Sequence, residues 1–445
     1  MGASEQTDTL VIGAGAAGLA AASELAGNGR DVVIVEARER IGGRVFTDGA
    51  LGPLPIELGA EFIHGVSAPV LDRLPAASDL PIDASRERWI VRGSRLRRAD
   101  ADLAAMKRVF RRLAPPDRDM SFAEYLHRHR RSVPPSVRRL AVLFVEGFDA
   151  ADVMRISTRE VLDEWSGPAA ADGPTFRPAR GYGHLMLSIR QALPAQRTAL
   201  HLAAVVRAVA WRRGRVVVEA ERHGETLRIE ARRAVVTLPL GVLQAPPGSA
   251  GHVRFTPELR GKRAALLEVA SGPVVKVTMV FARPFWAEMD GGRYRHASFF
   301  FAPNAPFPTF WTSLPLRTPL LVAWCAGPRA DALAGKRHDG IVSCLEESLR
   351  VAFGRRNYRA LLESVAWHDW QGDPFACGAY SYVLAAGGGA RRTLARPIED
   401  TLFFAGEACD ATGEAATVGG ALRSGTRAAR EILGRRRTPG GRRRG

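Results

Sequence analysis

Cysteine is scarce in this chain of 445 residues. Four are present, Cys325, Cys344, Cys377 and Cys409, and none forms a CxxC pair. That excludes a disulfide framework and a cysteine-based zinc site, and fits reduced thiols. Lysine is scarcer than the charge suggests. Lysine and arginine total 63, yet only Lys107, Lys262, Lys276 and Lys336 are lysines, a skew that reads as coding bias. Uncharged apolar runs fall short of the roughly 18–20 residues that span a bilayer, so no membrane association is expected. The first ten residues carry Glu5 and Asp8 and lead directly into a strand. Without a basic-then-apolar leader, the expected location is cytoplasmic. Walker loops, Ser-His-Asp sets and metal-ligand clusters are not visible either, and no metal is expected.

What is present describes a folded enzyme-sized protein. Hydrophobic residues make up 46% and charged residues 24%, which rules out wholesale disorder. The length exceeds one ordinary core and suggests two domains. The net charge is +17, but Arg435–Arg437 and Arg442–Arg444 contribute six of those charges amid Gly and Pro. Residues 434–445 are therefore expected to be a basic disordered tail. The other arginines are scattered, Arg86, Arg88, Arg92, Arg95, Arg97 and Arg98 among them. A solvated basic surface accounts for them more simply than a nucleic-acid partner.

The first forty residues read strand-helix-strand. Leu10–Ile12 is apolar, Gly13-Ala14-Gly15-Ala16-Ala17-Gly18 follows, Leu19–Leu25 has helical spacing, and Val32–Val35 ends at Glu36. A long helical stretch is expected over roughly 95–165. Leu103, Met106, Phe110 and Leu113 recur on one face, Pro115-Pro116 breaks the run, and Ser121 to Glu124 has the form of a capping box. From about 203 the period becomes two. Val216–Val218, Leu227–Glu230 and Ala234–Thr237 are expected strands, separated by turns at Arg213-Gly214 and His223-Gly224. Val274–Phe281, Leu320–Trp324 and Leu402–Phe404 are further strands, and Gly419–Ile432 is a last helix.

Gly13-x-Gly15-x-x-Gly18 alone is a weak signal, but its context is that of a dinucleotide site. The first glycine permits the turn, the second lets backbone N–H groups approach a pyrophosphate, and the third lets helix and strand pack closely. The helix amino terminus favours negative charge. Glu36 is placed to accept hydrogen bonds from a ribose hydroxyl pair and disfavours a 2′-phosphate. Gly42-Gly43-Arg44 adds a flat backbone and a forked donor for a phosphate. Near the other end, Phe404-Ala405-Gly406-Glu407 repeats the order of strand, glycine and acid. A cofactor gripped by both ends is held throughout turnover, which favours a flavin over a nicotinamide.

Together these stretches resemble the flavin-containing amine oxidase family, which includes monoamine, polyamine and L-amino-acid oxidases and flavin-type histone lysine demethylases. The matching segments are Val11–Gly18, Val35–Arg44, Glu57–Gly65, Phe144–Ser157, Ala234–Leu243, Val274–Trp286, Trp370–Tyr382 and Phe403–Ala421, in the family's order. The fold implied is α/β: a Rossmann-type FAD-binding domain with an interleaved α+β substrate-binding domain. The first would take residues 1–75, 180–260 and 372–445, and the second 76–179 and 261–371. The cofactor contacts implied are Gly13, Gly15, Ala17, Gly18, Glu36, Ala37, Arg38, Gly43, Arg44, Gly59, Ala60, Glu61, Val205, Thr237, Trp370, Gly406, Glu407, Thr417 and Val418.

Four residues are expected at the chemistry: Lys276, Tyr380, His64 and Thr417. Lys276 interrupts an otherwise uncharged strand. Either that strand has one wet face, or the amine points into a cavity with a partner. The resemblance implies a water held against the reactive flavin nitrogen. Tyr380 is either a core aromatic or one wall of an aromatic cage that attracts an amine. Monoamine oxidases carry an aromatic where this chain has Thr417, which leans toward polyamine-oxidase-like or demethylase-like sites. Covalent members have cysteine immediately before the cage tyrosine. Here that residue is Ala379, so FAD is expected to be non-covalent. His64 is either structural or a contact to the substrate amine.

The activity expected is oxidation of an amine to an imine, with O2 as acceptor and H2O2 as product. The alternatives are an L-amino-acid oxidase, a carbon–carbon desaturase of the same superfamily, and a flavin-stabilised binding module using the basic tail. Glu61, Glu146, Asp149, Asp163 and Glu164 are the acids that could attract a cationic substrate. A homodimer is an open expectation.

Overall fold

The structure is a computed structural model and describes residues 4–49, 55–64, 68–73, 81–83, 87–166 and 175–434. The arginine clusters of the carboxy-terminal tail lie outside the described residues.

Two large sheets dominate. The first has eight strands. Ser4–Ile12 lies parallel between Val32–Val35 and Glu225–Val236, and Thr198–His201 extends the parallel run beyond Val32–Val35. Glu225–Val236 divides its other edge. Glu225–Ala231 pairs with the antiparallel strand Arg215–Arg222, while Ala234–Val236 pairs with the parallel strand Leu402–Phe404. The sequence reading split this strand in two, because Arg232 and Arg233 interrupt its apolar pattern. The sheet absorbs them by directing Arg232 outward while Ala231 and Ala234 stay buried. Ser4–Ile12 is likewise longer than its apolar core, because the polar half pairs with Arg228–Ala231.

Helix Ala16–Gly27 packs on this sheet and against helix Val418–Ile432. The second helix buries Leu422, Thr426, Ala429 and Ile432 at steps of three and four, a stripe facing the core. Gly425 permits the approach: a Cβ there would lie 2.0 Å from the Ala17 carbonyl oxygen.

The second sheet has seven strands, in the order Leu362–Trp367, Val274–Phe281, Leu320–Ala326, Thr309–Thr312, Ala297–Phe301, Glu87–Arg92 and Arg95–Arg98. Val274–Phe281 is an interior strand with all eight residues buried. The wet-face alternative for Lys276 is thereby excluded.

Four helices cover part of this sheet: Asp100–Phe110, Phe122–Arg128, Pro135–Phe148 and Thr158–Ser166. The helical stretch begins later than expected. Arg95–Arg98 is instead the second strand of a hairpin with Glu87–Arg92, turning at Gly93. At the next helix Ser121 Oγ accepts the Glu124 N–H at 3.2 Å, as the capping pattern requires. Glu124 does not reach back. Its carboxylate pairs forward with Arg128 at 2.6 Å, the i,i+4 arrangement.

Candidate functional site

The parallel strands of the first sheet end in register. Ile12 lies level with Val35 and Val236, and Val236 with Phe404. The residues that follow, Gly13, Glu36, Thr237 and the pair Ala405-Gly406, therefore gather at one edge. In an open α/β sheet, the carboxyl ends of the strands are where a crevice forms. A cavity with an atom-free volume of about 1370 Å³, open to solvent, lies there. It runs from this edge to the second sheet, where Val274, Lys276 and Trp324 line it.

At one end the wall is backbone. Gly13 has φ +105°, and its N–H donates to Val35 O at 2.8 Å. Gly15 forms a bridge with Gly42, and a Cβ on Gly15 would lie 3.8 Å from Gly42 O and 3.9 Å from Gly43 Cα. Gly15 is the amino-terminal cap of helix Ala16–Gly27 and no side chain caps that end, which leaves N–H donors and the positive end of the dipole for an anion. Glu36 is 4% exposed. Its Oε2 accepts the Ala14 N–H at 2.8 Å and its Oε1 the Arg38 N–H at 3.0 Å. Each oxygen keeps a lone pair for a further donor. Arg38 pairs with Asp373 at 2.7 Å. Burial resists ionisation of Asp373, but hydrogen bonds from His368 and Arg38 hold its carboxyl well below the usual range. An uncapped helix, a glycine cradle and an acid at the next strand end suit a dinucleotide with an unphosphorylated adenosine ribose.

The two ends of the chain meet at Arg44 and Glu407, whose side chains pair at 2.9 Å. Arg44 also donates to the Ala379 carbonyl. Glu407 is buried and accepts the Ser381 hydroxyl at 2.6 Å. Burial alone would raise its pKa, but the Arg44 and Arg391 guanidinia lower it, so it stays ionised.

At the second sheet Lys276 is 2% exposed. Its Nζ lies 2.7 Å from Glu61 Oε2, donates to Gly59 O at 3.0 Å and stands 5.7 Å from the Trp311 ring centroid. Tyr380 lines the cavity nearby, and its hydroxyl donates to Phe148 O. Burial, reinforced by Asp149, Glu164 and Glu407, pushes that phenol well above its usual value, so it stays neutral. Trp370 donates its indole N–H to Leu58 O at 2.9 Å.

Most of the residues singled out from sequence meet here. Gly13, Gly15, Ala17, Glu36, Ala37 and Arg38 line the cavity with Gly43, Arg44, Gly59 and Ala60. So do Val205, Thr237, Lys276, Trp370, Tyr380, Gly406, Glu407, Thr417 and Val418. Three residues are elsewhere. Gly18 is a packing glycine whose Cβ would lie 1.9 Å from Gly13 O. Glu61 stands behind Lys276. His64, at the end of the short strand Ile63–His64, is exposed and outside the wall. Thr417 lines the cavity, yet its hydroxyl is engaged: it donates to Glu414 O at 2.7 Å and accepts the Gly420 N–H at 3.0 Å as a helix cap. Cys377 is outside the wall, with its Sγ 3.4 Å from Pro374 O.

Sequence reasoning did not select Trp324, Phe375 or Ala416, which also line the cavity. Ala416 adopts φ +62°, a strained conformation for a residue with a Cβ. Nothing in the local sequence signals it. Asp149, next to Phe148, has a buried Oδ2 with no hydrogen-bond partner. Burial and the neighbouring Glu164 carboxyl raise its pKa. Among the described residues no cluster of His, Cys, Asp or Glu is arranged to hold a metal.

Comparison with known proteins agrees with this geometry. The family model described as flavin containing amine oxidoreductase matches residues 16–433. Polyamine oxidase 3 of Oryza sativa subsp. japonica is 26% identical over 96% of this chain and 89% of its own length. Lysine-specific histone demethylase 1 homolog 3 of Arabidopsis thaliana is also 26% identical over 96% of this chain, which spans only 30% of that relative. A solved structure of putrescine oxidase bound to putrescine has the same fold, with a TM-score of 0.79 at 21% identity. It covers 97% of this chain and 100% of its own.

Proposed function

The chain belongs to the family of flavin-containing amine oxidoreductases, and from that premise we propose that it oxidises a primary or secondary amine to an imine at a polyamine-oxidase-like site. FAD held there would supply the redox chemistry, the transfer of two electrons from the amine to O2 with H2O2 as product. Water hydrolyses the imine to an aldehyde or ketone. The observation that carries this reading is Lys276, a buried, ion-paired amine in the cavity wall, opposite the glycine cradle and near Tyr380.

The roles follow from chemistry. The amino terminus of helix Ala16–Gly27 and the Gly15–Gly43 cradle would hold the pyrophosphate, and Glu36 would hold the ribose. Arg44, itself neutralised by Glu407, would hold the cofactor between its two ends. With Ala379 before Tyr380 and Cys377 outside the cavity, the cofactor is bound without a covalent link. The Tyr380 ring presents a π face to the amine and orients its lone pair, which requires the amine to be neutral when it reacts. Lys276 would hold a water against the bound cofactor.

An amine fits better than an α-amino acid. The cavity-lining arginines among the described residues are Arg38 and Arg44, and each already pairs with a carboxylate. Neither guanidinium is left free for a substrate α-carboxylate. The relatives named polyamine oxidase favour a substrate with more than one amine. No helix among the described residues is long and apolar enough to cross a membrane. We assign residues 1–75, 180–260 and 372–445 to cofactor binding and the intervening segments to the substrate. The course of the two sheets along the chain supports that division.

The test is a peroxide-release screen of the holoenzyme across monoamines, polyamines and L-amino acids, paired with anaerobic mixing. Polyamines or monoamines should bleach the flavin, and on admission of O2 one H2O2 should form per amine oxidised. A flavin bleached only by L-amino acids, or by none of the panel, refutes the reading.

A further inference from the structure

Lys276 does not stand alone in the cavity wall. Leaving an ammonium dry and unpaired on a fully buried strand would cost several kcal/mol, so the groups that answer it decide what it can do. Glu61 Oε2 is 2.7 Å away. The other carboxylate oxygen, Oε1, accepts from Arg177 Nε at 2.7 Å, and Trp311 Nε1 lies 3.0 and 3.1 Å from the two oxygens. Arg177 is anchored in turn, donating to Leu314 O and Thr312 O at 2.9 Å each.

Among the described residues, Glu57 also faces this cluster. It accepts from Thr47 Oγ1 at 2.7 Å and Tyr182 N at 2.6 Å. Burial raises its pKa to about 7, so below that pH it contributes little charge. Glu61 differs. Burial opposes its ionisation, but Lys276 and Arg177 hold it at about 2. Trp324, opposite Lys276 on the neighbouring strand, and the Gly59 carbonyl complete the surroundings and carry no charge.

The pair also occupies a partition. Lys276 lines the cofactor cavity, whereas Glu61 and Arg177 line a second cavity of about 690 Å³, with Glu57, Thr278 and Thr312. One carboxylate thus joins a cation facing the cofactor to a cation facing away from it.

We propose that Glu61 is a positioning residue: braced by Arg177 and Trp311, its carboxylate fixes the Lys276 ammonium at the cofactor cavity. This rests on the reading that Lys276 faces the flavin. Lys276 and Arg177 take different oxygens of the one carboxylate. Losing Glu61 therefore removes the lysine's ionic anchor, whereas losing Arg177 keeps that anchor and loosens its brace.

The experiment records the visible absorption and circular dichroism of the bound flavin in the oxidised holoenzyme at one pH, with no substrate. Wild type is compared with Lys276→Met, Glu61→Gln, Glu61→Asp and Arg177→Gln. Lys276→Met identifies the spectral bands that depend on the lysine. Glu61→Gln should shift those bands in the same direction as Lys276→Met. Glu61→Asp, which keeps the ionic anchor, should stay closer to wild type, and Arg177→Gln should fall between wild type and Glu61→Gln. If Lys276→Met changes the bands and Glu61→Gln does not, the role of Glu61 is refuted while the position of Lys276 stands. If Lys276→Met leaves the wild-type spectrum, the reading of Lys276 against the flavin fails instead. Should Glu61→Gln not retain flavin, Arg177→Gln decides: a spectrum identical to wild type there refutes the bracing.

Discussion

Gly18 and Gly27 lie in the same helix and should respond to alanine with opposite signs. A Cβ at Gly18 would stand 1.9 Å from Gly13 O, 3.0 Å from Gly13 C and 3.2 Å from Thr237 Oγ1. None of these atoms can yield cheaply. Gly13 is tied to Val35 by its N–H, and the Thr237 hydroxyl donates to Ile12 O at 2.7 Å. Relief requires the helix to move by about 1 Å or more, a displacement that costs about 1–3 kcal/mol in a packed interior. Against this stands about 1 kcal/mol of helix propensity gained on replacing glycine. Gly27 has no atom within 4 Å of its built Cβ, so there only the gain remains. Movement at Gly18 also carries the helix amino terminus away from the Gly15–Gly42 contact, and each 1.4 kcal/mol of lost cofactor binding is tenfold in affinity. Heating the holoenzymes while following flavin fluorescence tests this. Gly18→Ala should release flavin at a lower temperature than wild type and bind it about tenfold or more weakly. Gly27→Ala should match or exceed wild type. A Gly18→Ala protein that melts with Gly27→Ala and keeps full flavin occupancy would refute the reasoning.

If the Tyr380 ring rather than its hydroxyl serves the amine, Tyr380→Phe loses one hydrogen bond to Phe148 O, about 1 kcal/mol of stability. It should keep most of the kcat, whereas Tyr380→Ala should lose it; equal losses in rapid-mixing flavin reduction would count against the cage role. Burial raises the Glu57 pKa from 4.5 to about 7, so the folded state holds a proton that the unfolded state releases. Glu57 should therefore reduce stability progressively as pH rises from 4.5 to about 7, by about 3 kcal/mol in all. Thermal melts of wild type and Glu57→Gln across that range should diverge, and parallel curves would sink the assignment. Removing FAD takes away a ligand that binds only the folded protein. Apoprotein should melt lower and recover with added FAD in a concentration-dependent way, and melting insensitive to FAD would contradict the cavity assignment.

The cofactor end of the site was legible because its signals are local. Gly13, Gly15, Gly18 and Glu36 report a strand, a turn and a helix within one short stretch, and backbone sterics admit few alternatives. Lys276 was legible by contrast with its neighbours: a charge within eight buried strand residues has to be answered by a partner. The partner itself was not legible. Glu61 was expected at the cofactor because the family resemblance implied it there, with Gly59 and Ala60, which do line the cavity. Its carboxylate turns to Arg177, 116 residues away, and Trp311, 250 residues away. No local pattern encodes such a meeting. Arg95–Arg98 failed for a different reason. An Arg-Leu-Arg-Arg stretch has no periodicity strong enough to reveal a strand, and only its pairing with Glu87–Arg92 makes it one.

The cofactor cradle and Lys276 belong to different sheets, so catalysis depends on how accurately those sheets are held together. Leu58–Ala60 is the junction. Leu58 O accepts from Trp370 and Gly59 O from Lys276, while the Leu58 and Ala60 N–H groups donate to Phe46 O and Arg44 O. One three-residue segment thereby joins Arg44, which grips Glu407 from the far end of the chain, to both elements that face the cofactor. Its centre must be glycine. A Cβ on Gly59 would fall 2.0 Å from Arg44 O and 3.1 Å from the Trp370 ring, displacing one or other of two residues that line the cavity. The distance between Lys276 and the cofactor cradle is thus set by two contacts of one ammonium, the Gly59 carbonyl and, two places along the chain, the Glu61 carboxylate.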